Sequence, residues 1–182
     1  MLKTALLYAG AGLAVFLATG WSGFQSRIHA IPYEEMARIE ALMKSRGATN
    51  TMVLSPPVTP QTPVPRNNPD TRPTYCWVDL SEGPVRVSGP LPESYWSLSV
   101  YTPDSLNPFV ASDRDFAPAQ AFDFIVARLG EAPQVLPDSA RLIEIDALKA
   151  AVLLRYYVPR QEDIEQIDAL RWAARCAPYS PE

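Results

Sequence analysis

Residues 75–109 read YCWVDLSEGPVRVSGPLPESYWSLSVYTPDSLNPF. Cys76, Val78 and Leu80 fall on one side of an extended chain, and Tyr75, Trp77 and Asp79 on the other. That period of two marks a strand with one face on a core. Residues 81–84, Ser-Glu-Gly-Pro, spell a turn in which Gly83 can take a positive φ. Val85 and Val87 resume the alternation opposite Arg86 and Ser88, and residues 89–93, Gly-Pro-Leu-Pro-Glu, break it again, since proline cannot donate to a ladder. Trp96, Leu98 and Val100 then alternate with Tyr95, Ser97, Ser99 and Tyr101. Three short strands with short connections predict an antiparallel meander.

Working outward, further strands are expected near residues 108–112 and over AFDFIVARL (121–129), where Phe122, Phe124 and Val126 share a face. SARLIEID (139–146) and AAVLLRYYVP (150–159) read as a final pair turning at residues 146–149. The segment QEDIEQIDALRWAARCAP (161–178) closes the chain as a helix. Its acids lead and Arg171 and Arg175 trail, as the helix dipole favours, with Ile164, Ile167, Leu170 and Ala174 as the buried side. The expected fold is α+β and mainly β: a β-sandwich or jelly-roll-like domain over 74–178 with a closing C-terminal helix and a tail at 179–182.

Toward the N-terminus, residues 4–26 (TALLYAGAGLAVFLATGWSGFQS) form an uncharged run of 23 between Lys3 and Arg27. As a helix it is about 34 Å long, enough for a hydrocarbon core of about 30 Å. Trp21 and Phe24 lie at its far end, where aromatics favour the membrane interface. Residues 1–27 therefore read as a transmembrane anchor. The competing reading is a signal peptide with Leu6 to Ala18 as its apolar core and Ala18-Thr19-Gly20 as its cleavage site. Either carries the rest of the chain across a membrane. Residues 28–49 are expected to hold a separate amphipathic helix, started by Pro32, ended by Gly47, and striped with Met36, Ile39, Leu42 and Met43. Residues 50–73 follow as a proline-rich strap or linker, with seven prolines in positions 56–73.

Composition narrows the chemistry. A formal charge of −4, from 16 basic and 20 acidic residues, argues against nucleic acid, which requires a concentrated basic surface. The one histidine, His29, stands beside the apolar run, away from any triad in the domain. Metal-ligand spacings, phosphate loops and dinucleotide fingerprints do not occur, and no cofactor is implied. What remains are carboxylates and aromatics. Asp113 and Asp115 flank Arg114, Asp79 ends a strand, and Tyr75, Trp77, Tyr95 and Tyr101 are candidates for an exposed face. Such a face, with Asp79, Asp113 and Arg114, suits a ligand or partner. It equally suits packing beneath a helix or the strap, with Asp79 capping its turn. Cys76 and Cys176 are the only cysteines; an even count in an exported chain suggests a bridge, against two buried thiols.

The succession Asp79-Leu80, Gly83-Pro84, Tyr95-Trp96-Ser97 and Asn107 to Arg114 resembles the bacterial domain-of-unknown-function family "twelve-fifty-four". Ile28-His29-Ala30-Ile31-Pro32 and Ala174-Arg175-Cys176 look like its short, membrane-anchored alphaproteobacterial members. The resemblance implies architecture and no activity. With residues 1–27 as the anchor, a very short N-terminal tail followed by a large domain is expected to leave a single-pass protein of the bacterial inner membrane with its C-terminal domain in the periplasm. Longer relatives join this domain to a second β-rich one, which implies a second envelope protein supplying that domain in trans. The sequence thus points to an envelope binding module more than to catalysis. The alternative is a periplasmic carbohydrate-active enzyme, or a carbohydrate-binding module, using Asp113, Asp115 and surface aromatics.

Overall fold

The computed structural model describes residues 2–56, 68, 70–116 and 118–180. Helix α1 runs Leu2–Ser45 without interruption. The β elements are β1 (Val53–Leu54), β2 (Thr71–Asp79), β3 (Val85–Pro90), β4 (Trp96–Tyr101), β5 (Phe109–Ser112), β6 (Ala121–Arg128), β7 (Arg141–Ile145), β8 (Lys149–Tyr157) and β9 (Arg175–Pro178). A one-turn helix α2 (Asp113–Phe116) follows β5, and α3 (Ile164–Ala173) precedes β9. The mainly β expectation, with helices at both ends, is met.

Two sheets face each other. One has the order β1-β2-β8-β4-β5 and is antiparallel throughout; the other is β7-β6-β3-β9, with β6 and β7 parallel. The expected meander is therefore corrected: β2 and β4 belong to the first sheet and β3 to the second. The last expected pair is corrected too, because β7 and β8 lie in different sheets. Alternation shows only that one face of a strand is buried, and in a sandwich consecutive strands can meet that demand from opposite layers.

The core is the layer between the sheets. Val78, Leu98, Val100, Val152 and Leu154 meet Val85, Val87, Phe122, Phe124 and Val126, all buried. Trp96 packs with Phe116 and Phe122 at centroid separations of 5.3 and 5.9 Å, within the range of productive aromatic pairs. Tyr156 of β8, fully buried, donates its hydroxyl hydrogen to the Pro90 carbonyl at the end of β3, at 2.8 Å. Cys76 of β2 is bonded to Cys176 of β9, with Cα atoms 6.4 Å apart. The bridge was expected to reach the closing helix. Instead the helix stops at Ala173 and Arg-Cys-Ala-Pro turns back as a strand beside β3.

Two further expectations change. Pro32 does not start a helix; it lies inside α1. Its missing N–H leaves the Ile28 carbonyl without its usual partner four residues on, while good helix formers on both sides carry the helix through. The proline-rich segment falls mostly outside the described residues, but its ends are fixed. Val53 and Leu54 pair with Tyr75 and Thr74, and the Ser55 N–H donates to the Pro73 carbonyl at 3.1 Å. Buried Arg171 of α3 donates to the Ser55 and Pro73 carbonyls at 2.8 and 2.7 Å, to Thr74 Oγ1 at 3.2 Å, and to Asp168. The strands on either side of it, Val53–Leu54 and Thr71–Asp79, thus lie side by side as an antiparallel pair.

Candidate functional site

The face of β2 opposite the core carries Tyr75 and Trp77, level with Leu153 and Ala151 of β8, and Ala151 is level with Tyr101 of β4. This is the aromatic face read from the sequence, and α1 sits on it. Trp77, at 1% exposure, is buried with Met36, Met43, Ala48 and Ala151, and Tyr75, Tyr101 and Val53 pack around the group. The Trp77 N–H donates to the Ala48 carbonyl at 2.8 Å and the Trp77 carbonyl accepts from Asn50 N–H at 2.9 Å, so the chain leaving α1 is laced to β2. Asn50, at φ 45°, completes the seat: its side-chain amide donates to the Asp79 carbonyl and accepts from the Asp79 N–H. The indole Nε1 of Trp77 is buried and finds no acceptor.

Of the two readings of this face, packing beneath a helix is the one that holds for Trp77. It faces away from the core, but the lower half of α1 covers it. Of the stripe assigned to this helix, Met36 and Met43 are buried and Ile39 and Leu42 are not.

An ion cluster flanks the seat. Glu40 accepts from Lys149 and from Lys44, each at 2.7 Å. Burial alone would raise the Glu40 carboxyl, but the hydrogen bonds and charges of Lys149 and Lys44 outweigh it and hold it below its ordinary value. Lys149 is pushed up, chiefly by its bond to Glu40. A depressed carboxyl stabilises the fold above its unfolded pKa, 4.5, and loses that contribution as pH falls through the folded value. The raised ammonium contributes below 10.5 and loses its part as pH climbs beyond. Glu40→Gln should therefore cost about 0.3–1 kcal/mol at neutral pH, as solvent-screened pairs do. In denaturant titrations the gap between wild type and variant should close as pH drops below 4.5; a gap independent of pH would show that the cluster contributes nothing.

The other candidate residues are not brought together. Asp79 Oδ1 accepts from the Ser81 N–H and hydroxyl, capping the turn. The Ser81 hydroxyl, against some burial, holds this carboxyl below its usual range. Asp113, Arg114 and Asp115 form α2 beyond the opposite end of β5: Asp115 accepts from Ser112 N–H and hydroxyl, Arg114 is exposed, and Asp113 Oδ1 is buried without a partner. Asp79 is level with Lys149, whereas Ser112 is level with Ser97 and Arg155. Three strand spacings and six residues separate the two groups, about 14 Å across and about 20 Å along the sheet. Tyr95, exposed, lies at that far end too, its carbonyl accepting from Tyr157 N–H. The carboxylates and aromatics do not form one pocket.

An open cleft of about 420 Å³ lies where α1 meets the sandwich, lined by Tyr33, Asp104, Leu106, Pro108, Glu144 and Asp146 among others. Its floor is the β4–β5 loop, which is strongly self-bonded. Thr102 N–H donates to the Leu106 carbonyl, Ser105 N–H to the Thr102 carbonyl, and Asp104 accepts from Thr102 hydroxyl and Leu106 N–H. Ser105, at φ 63°, donates its hydroxyl to the Pro32 carbonyl of α1 at 3.2 Å. Sequence reading missed this cleft because its residues come from a helix, a loop and a turn far apart in the chain. It also missed Arg171, although an arginine on the same helical face as Ile167 and Ala174 was the available signal.

Comparison with known proteins bears on this arrangement. The model of the family described as Protein of unknown function (DUF1254) matches residues 49–178. The fold is similar to the crystal structure of the VPA0106 protein from Vibrio parahaemolyticus, at 16% identity and a TM-score of 0.63, over 85% of this chain and 37% of that one. An uncharacterized protein from Burkholderia cenocepacia is similar over 73% of this chain and 37% of its own, at 15% identity and a TM-score of 0.47. This chain thus spans under half of the solved relatives, and these likenesses concern fold alone. No curated protein matches.

Proposed function

This chain belongs to the DUF1254 family, and we propose that it is a single-pass protein of the bacterial inner membrane whose β-sandwich works in the periplasm as a binding module. The observation that carries the reading is the union of two features in one chain. Helix α1 is long and apolar enough to cross a membrane and keeps Leu7, Phe16, Trp21 and Phe24 exposed, while the domain it carries is closed by a disulfide, a bond that persists in oxidising compartments. Residues 4–26 lie in the bilayer. The seat around Trp77 then holds the sandwich in a fixed pose against the helix, which suits a module that presents a surface. Asp79 and Asp115 accept from neighbouring residues and Asp123 pairs with Arg86, at separate places.

The partner we propose is a second envelope protein, met by the surface that the seated sandwich presents. Protease added to spheroplasts should digest the domain of the full-length protein, and crosslinking in intact cells should capture a heterologous envelope protein. Protection from protease would overturn the topology. Recovery of the uncrosslinked monomer alone would overturn the partner.

A further inference from the structure

The order in which α1 passes the strands fixes which side of the sandwich faces the membrane. At Pro32 the helix touches the β4–β5 loop, at Glu40 it is bonded to Lys149 of β8, and at Met43, with Ala48 just beyond its end, it reaches Trp77 of β2. The sheet runs β2-β8-β4-β5, so α1 crosses its strands and its N-terminal half leaves on the β5 side. The second sheet presents β7 on the same side. Arg141, at the start of β7, lies 4.1 Å over the ring of Phe116 just after β5, and Ile145 at its end lines the cleft with Leu106 and Tyr33. Strands β1 and β9 occupy the far side.

Height along α1 then identifies what this side meets. The uncharged run ends at Ser26 and is followed by Arg27. Pro32 is six residues further, about 9 Å at 1.5 Å per residue. The polar layer outside the hydrocarbon is about 5–7 Å deep on each face. The loop bonded to Pro32 therefore stands within a side chain's reach of that layer. It presents Leu106 at 63% exposure, beside Val110 of edge strand β5 at 56%. Ile28, Ile31 and Tyr33 of α1 are exposed at the same level. Asp104, the one charge in the loop, is already satisfied by Thr102 and Leu106 N–H, so its bonds survive beside lipid.

We propose that the β4–β5 loop, led by Leu106, rests in the headgroup layer of the membrane that α1 crosses, holding the sandwich edge-on with β5 and β7 toward the lipid. This inference rests on the anchored reading above. An exposed leucine on a self-bonded loop enters an interface at little conformational cost, since the loop is ordered beforehand. The contact leaves the far side, with β1 and β9, as the surface open to a partner.

The test uses the full chain, reconstituted in vesicles of phosphatidylethanolamine and phosphatidylglycerol, with its disulfide intact and one environment-sensitive fluorophore attached at a time. Phe16→Cys reports the helix, Leu106→Cys the loop, and Glu82→Cys an exposed turn between β2 and β3. Nitroxide-bearing lipids at headgroup and mid-chain depth serve as quenchers. The expected result is mid-chain quenching at position 16 and headgroup quenching at 106 at least about twofold stronger than at 82. Quenching at 16 with 106 no more quenched than 82 would overturn the inference and leave the anchor standing. Lack of quenching at 16 would overturn both.

Discussion

Replacing Cys76 and Cys176 together by alanine should lower the free energy of unfolding by about 3–4 kcal/mol and the thermal midpoint by roughly 10 °C. The bridge closes 100 residues of sequence, and for a loop of that length the chain-entropy model gives up to about 4.7 kcal/mol, of which measured bridges often deliver less. Its position adds to the effect. Cys76 stands in the second strand of one sheet and Cys176 in an edge strand of the other, so the bond pins together layers otherwise joined by packing and by the Tyr156–Pro90 hydrogen bond. β9 pairs with β3 over only four residues and is the element that should loosen first. Equilibrium denaturation of the oxidised full chain against the double variant measures the loss, and equal midpoints would show that packing alone closes the sandwich.

Trp77→Ala should cost about 3–5 kcal/mol, the usual range for truncating a fully buried large aromatic. The loss concentrates where α1 is seated. Met36, Met43, Ala48 and Ala151 are buried in one cluster with this indole, and without it the helix keeps the Glu40 ion cluster, the Ser105–Pro32 hydrogen bond, backbone bonds and what remains of the packing. Trypsin cleavage after exposed Arg46, at the junction of helix and sheet, should accelerate sharply in this variant. Trp77→Phe should behave differently. The buried indole N–H lacks an acceptor, a condition costing about 1–3 kcal/mol that phenylalanine removes. That relief offsets much of the lost area, leaving a net change below about 1.5 kcal/mol. Equal destabilisation by alanine and phenylalanine, or unchanged cleavage in both, would mean that α1 is not seated on Trp77.

These two sites also show what could be read in the sequence. Alternation from Tyr75 to Tyr101 located β2, β3 and β4, and positive φ at Gly83 answered the turn read there. The two cysteines left one possible pairing. What alternation could not supply was partnership: β3 looks like the neighbour of β2 in sequence yet pairs with β6 and β9. A strand's pattern records burial on one face and says nothing about which strand lies beside it. β1 and β9, at two and four residues, are too short to show a period. Trp77 was correctly placed on the outer face, but whether water or a helix covers that face is a long-range fact. The same holds for Pro32, whose local preference for a first turn was overridden by the helix around it.

We propose a disulfide-closed sandwich held outside the inner membrane by α1. The most direct measurement is thiol trapping of the full-length protein in intact, unreduced cells, followed by mass determination. With two cysteines in the chain, no alkylation is expected before reduction and two alkyl groups after it. Two groups added without reduction would place the domain in a reducing compartment and contradict the proposal.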